Sequence, residues 1–168
     1  MRLYGDVRSS CTRKVLLTLA EKGHSAELRF VDLLGGEHRA PEHLARHPFG
    51  RIPAWVDDDG FTLFESRAIV RYLDQRLPGP RLVPTQQRAV ARMEQWISAE
   101  QSYVSPPITT LVHEIALAPL RGHVGDPVAI AAAREAAVSA LEVYNRALAD
   151  APFVAGDQFT LADVVMMP

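Results

Sequence analysis

Hydrophobic residues in the first part of the chain follow two different periods. Residues 2–5 form a short run that ends at a glycine, which predicts a strand. From Ser9 or Ser10, either of which offers a hydroxyl N-cap, to about Lys22 the apolar positions fall on one helical face. Residues 26–31 then alternate between apolar and polar side chains, as a second strand does. The opening pattern is therefore strand, helix, strand.

The pattern continues with a brief helix and a hairpin. Pro41 opens the helix and Pro48 stops it. Residues 52–56 and 61–64 predict two strands on either side of an Asp-Asp-Asp-Gly turn. A helix over residues 66–77 closes the block, so the predicted order is βαβαββα.

Prolines and a glycine divide the chain into two predicted domains. Residues 1–77 form the α/β domain, residues 78–85 predict a linker with a Pro-Gly-Pro run, and residues 86–168 predict an all-helical domain. The first helical segment is expected from about residue 85 to about residue 117, with a bend or break at residues 106–107. A second segment is expected over residues 126–149. A third should begin at the capping pattern of Thr160 and Asp163.

Composition and charge narrow the classes of function. With 48% hydrophobic and 23% charged residues the chain can bury a core, and its net charge of −2 gives no bulk basic field for a nucleic acid. Its apolar stretches are too short to cross a bilayer. The single cysteine, Cys11, excludes an internal disulfide framework and fits a reducing compartment. Because no charged-then-apolar leader precedes the first strand, we expect a cytoplasmic protein without membrane or nucleic-acid partners.

Six motifs occur in order along nearly the whole chain. They are LYG, SSCTRKV, EKG, VDLLGGEHRAPEHLARHPFGRIPA, TLFESRAIVRYL and LEVYNRALADAPFVAGDQFTLADVVMMP. By these motifs the chain resembles cytosolic glutathione transferases, most closely the phi-like, serine-type branch. The resemblance implies a thioredoxin-like N-terminal domain with a mixed sheet, a helical C-terminal domain and a homodimer.

The resemblance also implies a reaction. Glutathione is expected as the co-substrate, with no bound cofactor, and a hydrophobic electrophile as the second substrate, held against the helical domain. Members of the family continue for several helical turns past the Leu-Ala-Asp motif. We therefore expect that the chain is truncated or incomplete there, and that part of the pocket for the electrophile lies outside it.

Such an enzyme has to keep a thiol ionised near neutral pH. A free thiol titrates at about 8.5, and each unit of downward shift takes about 1.4 kcal/mol of extra stabilisation of the anion. A hydroxyl that donates a hydrogen bond at a helix N-terminus can supply about one to two units. The resemblance assigns this role to Ser9. Taken alone, the same residue is typical of an ordinary N-cap.

Two neighbours offer alternatives to Ser9. Ser10 is the rival hydroxyl, because adjacent serines cannot both point at one sulfur. Cys11, near a helix N-terminus, could form mixed disulfides. Cysteine-type relatives, however, carry their cysteine at the position of Ser9, and two residues further along a helix a side chain points about 200° away. We interpret Cys11 as a small packed residue.

The resemblance assigns a tripeptide-binding surface to residues on both sides of the hairpin. It implies a cis bond between Ile52 and Pro53, which turns the Ile52 backbone towards the cysteinyl part of glutathione; without it a trans bond is expected. Glu65 can accept from the γ-glutamyl ammonium, while Ser66 and helix N–H groups can hold the γ-glutamyl carboxylate. A capped helix start is the alternative for this pair.

Three basic residues are candidates for binding the glycyl carboxylate. His38 and Arg39 match a His-Lys pair of the family, and Arg51 stands where glutamine is common. Arginine keeps the positive charge of lysine but changes its reach and geometry. Solvated surface charge is the alternative for Arg39 and Arg51.

A histidine pair raises the question of a metal. His43 and His47 are four residues apart and face one way on a short helix, as paired metal ligands do. No carboxylate or cysteine completes the set, and the residue after His43 is a leucine, so the zinc-protease pattern fails. We expect no metal site.

Three functions remain open on the sequence. The predicted one is conjugation of the glutathione thiolate to hydrophobic electrophiles, for detoxification. A non-catalytic protein of the same fold, which binds ligands or docks partners, is the second. Glutathione-dependent reduction of peroxides or disulfides is the third, and the physiological thiol could also be another small thiol.

Overall fold

The computed structural model describes all residues, 1–168. The chain forms two compact units. The first comprises Met1–Pro84 together with Met167–Pro168, and the second comprises Thr85–Met166. None of its helices combines the length and the apolar character needed to cross a membrane.

The first unit has the predicted element order. The serine-capped helix and the proline-opened helix both occur where the local signals place them. The first hairpin strand begins two residues later than predicted because Pro53 has no N–H for the ladder, and the second begins one residue later. The elements are β1 (Arg2–Gly5), α1 (Ser10–Glu21), β2 (Glu27–Phe30), a 3₁₀ turn (Glu37–Arg39), α2 (Pro41–Leu44), β3 (Ala54–Val56), β4 (Thr62–Phe64) and α3 (Ser66–Arg76).

The four strands form one mixed sheet in the order β2-β1-β3-β4. Strand β1 is parallel to β2 and antiparallel to β3, with Tyr4 opposite Ala54. Strand β3 is in turn antiparallel to β4, with Ala54 opposite Phe64. This topology is the mixed sheet that the predicted thioredoxin-like α/β fold requires.

Helices α1 and α3 pack against each other and each buries one apolar face. Full burial of such a side chain contributes about 1.5–3 kcal/mol. The apolar side chains in this core with at most 1% exposure are Leu3, Val15, Leu19, Ala54, Trp55, Ile69, Val70 and Leu73.

A buried ion pair fastens the chain that follows α3. The ammonium of Lys22 lies 3.0 Å from the Asp74 carboxylate and donates to the carbonyl oxygens of Asp74 and Pro80, at 2.9 Å each. The same carboxylate accepts from the backbone N–H groups of Leu82 and Val83. Since every donor of the ammonium has an acceptor, this pair orders residues 78–84 against α1 and α3.

The second unit is all helical, as predicted. Its bend is a π-helical segment that comes before Pro106 and Pro107, because proline has no N–H to offer the carbonyls of the preceding turn. The elements are α4 (Gln87–Ala99), a π segment (Glu100–Val104), α5 (Ser105–Leu111), a second π segment (Val112–Leu117), α6 (Ala118–Leu120), α7 (Pro127–Asp150) and α8 (Leu161–Met166).

The capping pattern before α8 forms in part. The carboxylate of Asp163 accepts from the Thr160 backbone N–H at 2.8 Å, as predicted. The Thr160 hydroxyl, however, accepts from Ala162 N–H at 3.2 Å and not from Asp163. The second oxygen of Asp163 binds Val154 N–H at 2.9 Å, so this carboxylate also fixes the loop before the helix.

Glu65, between β4 and α3, has an unusual backbone conformation. Its φ of 70° and ψ of 109° lie in a region that residues with a Cβ rarely adopt, and Glu65 is the one residue other than glycine with a positive φ. Its side chain makes no capping hydrogen bond to α3. The strain is therefore not offset by a capping hydrogen bond. Backbone strain of this kind concentrates at ligand sites.

We predict that Glu65→Gly is more stable than Glu65→Ala by about 1 kcal/mol, because glycine adopts this φ without a steric cost. Urea unfolding of both variants measures the difference. The matched control is Ala20→Gly on the exposed face of α1, where the usual order holds and glycine should lose about 1 kcal/mol. An alanine variant as stable as the glycine variant at position 65 would contradict the strain.

Candidate functional site

Strand direction brings three loops to one edge of the sheet. Because β1 and β4 both run antiparallel to β3, the ends of β1 and β4 lie beside the beginning of β3. Ser9 follows the end of β1, Ile52 precedes β3, and Glu65 and Ser66 follow the end of β4. These four predicted site residues are therefore brought to the same edge.

The loop from β1 to α1 is fixed by close packing. A Cβ on Gly5 would lie 2.6 Å from the Thr12 hydroxyl, so only glycine lets the first turn of α1 approach β1 this closely. Ser9 donates its backbone N–H to the Asp6 carbonyl at 2.9 Å. Its hydroxyl caps α1 by accepting from Thr12 N–H at 3.4 Å, a long and weak bond. The hydroxyl proton is not used by this contact.

The two alternatives to Ser9 lie further along the same helix. Ser10 is the first residue of α1 and is exposed, whereas Ser9 is half-buried. Cys11 is half-buried and free. Burial therefore distinguishes Ser10 from the other two side chains, and the choice of Ser9 over Cys11 stays a prediction.

An ion pair stands beside this loop. The guanidinium of Arg8 donates to both oxygens of the buried Asp6 carboxylate, from Nε at 3.0 and 3.1 Å and from a terminal nitrogen at 2.6 Å. The backbone N–H of Arg8 donates to the same carboxylate at 2.8 Å. These bonds hold the pKa of Asp6 below its usual value. The carboxylate therefore stays ionised while it shapes the turn that leads to Ser9.

The loop before β3 is held from two sides. The Ile52-Pro53 bond is cis, as the resemblance implies. The ring Nε2 of His43 lies 2.7 Å from the carbonyl oxygen of Arg51. A Cβ on Gly50 would lie 3.0 Å from the His38 carbonyl, so the 3₁₀ turn that carries His38 packs against this loop. His38 is thereby brought towards the sheet edge.

The structure gives less information on the two candidate arginines than on the other predicted site residues. The side chains of Arg39 and Arg51 are both exposed. Arg51 contacts the rest of the unit through its carbonyl, which binds His43. Their roles remain predictions that rest on charge and on position in the chain.

The start of α3 presents a carboxylate next to helix amides. Ser66 is the first residue of the helix and is buried, while Glu65 is exposed. The carbonyl of Glu65 accepts from the N–H groups of Ala68 and Ile69, at 2.9 Å each. The Ser66 N–H is among those that a helix N-terminus leaves without an intrahelical acceptor. The arrangement offers both an acceptor for a cation and a donor for an anion.

The position of His47 could not be predicted from the sequence, where the His43–His47 spacing indicates only a possible metal pair. In the structure His47 is 2% exposed, and its ring lies 5.0 Å from the ring of Phe64, the residue before Glu65. The i, i+4 spacing places two histidines on one side but does not say what they touch. Contacts with residues distant in sequence carry that information.

The helical unit contains an apolar groove. It has a volume of about 880 Å³ and lies between α4 with its π segment on one side and α7 on the other. The Tyr144 hydroxyl donates to the Trp96 carbonyl at 3.0 Å and fixes the two walls. The lining includes Trp96, Ala99, Tyr103, Ala140, Val143 and Tyr144.

Comparisons with known proteins agree with this architecture. Residues 1–75 match the family model for the N-terminal domain of glutathione S-transferase, and residues 127–168 match the model for its C-terminal domain. Glutathione S-transferase F10 of Arabidopsis thaliana is 39% identical over 170 residues, which cover 100% of this chain and 78% of that protein.

Solved structures show the same likeness. Glutathione transferase F7 from Populus trichocarpa superimposes with a TM-score of 0.92 and 38% identity, over 99% of this chain and 79% of that one. Maize glutathione S-transferase I, solved in complex with an atrazine glutathione conjugate, superimposes with a TM-score of 0.86 and 32% identity, over 98% and 76%. The motifs, the fold and these relatives together show that the chain belongs to the glutathione S-transferase family, among relatives of the plant phi class.

Proposed function

We propose that this protein conjugates the thiolate of glutathione to hydrophobic electrophiles and so detoxifies them in the cytoplasm. The observation that supports it best is the meeting of Ser9, Ile52 and the Glu65-Ser66 pair at one sheet edge, in a chain of this family. A tripeptide with an ammonium, two carboxylates and a thiol matches the groups that this edge presents.

Ser9 is proposed to stabilise the thiolate. Its hydroxyl accepts only a long hydrogen bond from Thr12 N–H, so its proton is available to a sulfur anion. The positive end of α1 adds a favourable field at the same place. The bound thiolate then attacks an electrophile held beside it, and the serine takes no covalent part.

The remaining residues are proposed to hold the tripeptide. Glu65 accepts from the γ-glutamyl ammonium, and Ser66 with the first amides of α3 donates to the neighbouring carboxylate. The backbone of Ile52, outside β3, pairs with the cysteinyl unit. For the glycyl carboxylate we propose three basic side chains, which are His38, Arg39 and Arg51.

We expect Ser9→Ala to lower kcat for conjugation about 10- to 100-fold near pH 6.5, as a loss of one to two units of thiol stabilisation would. The KM for glutathione should change little, because the tripeptide keeps its other contacts. Steady-state kinetics with a model electrophile measures both, and Ser10→Ala is the matched control. Unchanged turnover in Ser9→Ala with a loss in Ser10→Ala would move the role to the neighbouring hydroxyl.

The same kinetics can be run with Cys11→Ser. Reduction of a peroxide or disulfide that is lost in Cys11→Ser and kept in Ser9→Ala would favour a reductase in place of a transferase. Binding of glutathione without turnover of any electrophile would favour a non-catalytic protein.

We also propose that two copies associate through the helical unit. The surface of its groove is mostly apolar, and Tyr103 in that lining is 68% exposed. A monomer would leave this apolar surface in water, whereas a second copy would bury it.

Tyr103→Glu should therefore shift the protein from twice the 18.5 kDa chain mass towards the single mass, because a charge would be buried in the interface. Sedimentation equilibrium measures the mass. Val124→Glu, at a 97% exposed position outside the groove, is the control and should stay dimeric. A wild-type protein that sediments as a monomer would refute the association.

A further inference from the structure

His47 is buried among rings. Its side chain is 2% exposed and lies 5.0 Å from the ring of Phe64 and 6.4 Å from that of Phe49. The ring of His43 stacks on it at 6.4 Å with an interplanar angle of 12°. The two histidines thus form a stacked pair at the C-terminal side of α2.

The hydrogen bonds of the pair suit neutral rings. A carbonyl oxygen can only accept, so the Nε2 of His43 that lies 2.7 Å from the Arg51 carbonyl carries the proton. The Nδ1 atoms of His43 and His47 are buried and have no hydrogen-bond partner. Neither Nδ1 makes a hydrogen bond, so a proton added there would be a buried donor with at best a weak contact to the chain's own backbone, and burying such a donor is costly.

The pair touches two backbone segments of the glutathione site. Arg51, whose carbonyl binds His43, immediately precedes Ile52. Phe64, whose ring packs on His47, immediately precedes Glu65. One stacked pair therefore supports both of the loops that have to stay in place for the tripeptide.

We propose that His43 and His47 are positioning residues, which hold the loops of Ile52 and Glu65 in their binding conformation while His47 is neutral and release them when His47 is protonated. This inference rests on the proposed glutathione site. It adds a pH-dependent support from outside the set of residues proposed to touch the tripeptide.

The charges around His47 set the direction of this effect. Burial lowers the pKa of His47 below its ordinary value of 6.5; Glu65 opposes the shift, as does the backbone carbonyl of His47, while His43 and Arg51 reinforce it. Because its pKa is lowered in the closed form, His47 stabilises that form fully above pH 6.5. This stabilisation is lost as the pH falls through the lowered pKa. Mild acid therefore favours the released loops.

The size of the effect on binding is limited by one proton. One pH unit below the ordinary pKa, protonation of His47 in the open conformation shifts the equilibrium between closed and open loops by up to about tenfold. The apparent affinity for the tripeptide falls as the population of the closed form falls. Protonation of His38 would act in the opposite sense, because a cation there attracts the glycyl carboxylate. A loss of affinity in acid therefore cannot come from His38.

The test is calorimetric binding of S-methylglutathione, which has no thiol to titrate. For the wild type we expect Kd to rise about three- to tenfold from about pH 7.5 to about pH 5.5. For His47→Phe, which keeps a ring on Phe64 but cannot be protonated, we expect a change below about twofold. The control is His24→Phe, at the end of α1, which should behave as the wild type.

The outcomes separate this inference from the proposed function. Equal pH dependence in the wild type and in His47→Phe, with binding intact at neutral pH, overturns the inference alone. Absence of binding to the wild type at any pH overturns the glutathione site and the inference with it.

A second measurement needs no change at His47. His43→Gln keeps a donor for the Arg51 carbonyl and His43→Phe does not, so KM for glutathione should rise in the phenylalanine variant and recover in the glutamine variant, with kcat nearly constant. In the wild type, NMR should show His47 titrating at lower pH with S-methylglutathione bound than without it. Equal pKa values in the two states contradict the coupling, even if His47→Phe fails to fold.

Discussion

The direction of the strands controls what this molecule can bind. Strand β3 runs against both of its neighbours, so the chain leaves β1 and β4 where it enters β3. Ser9, Ile52 and Glu65 are far apart in sequence and become neighbours only through this register. A shift of one residue in the pairing of these strands would turn every side chain of the shifted strand to the other face. It would also separate these three residues.

That geometry places two helix N-termini at the same edge. Helices α1 and α3 both begin there, so both present free amides and the positive ends of their dipoles. A sulfur anion and a carboxylate would gain from these fields. The proposed role of Glu65 is to supply the opposite charge for an ammonium. Supporting contacts then limit movement: Gly5 admits Thr12, and His43 holds the carbonyl of Arg51.

Local signals were sufficient for most of the fold. Helix α1 begins after its N-cap Ser9 and ends before its C′ residue Gly23, and an Asp-Gly turn joins β3 to β4. These signals could be recognised in the sequence because such residues act on their immediate neighbours. Alternation could not say which face of β2 is covered, and Phe30 is 59% exposed. The π segments, the strained Glu65 and the burial of His47 depend on contacts between distant residues, which a single sequence does not contain. The family resemblance, not the periodicity, predicted the cis bond at Pro53.

We propose that this sheet edge keeps the thiol of bound glutathione ionised at a pH where free glutathione is protonated. The test is a pH titration of glutathione bound to the wild-type protein, followed by the ultraviolet absorbance of the thiolate. We expect a thiol pKa about one to two units below that of free glutathione. A bound thiol that titrates like the free one would contradict it.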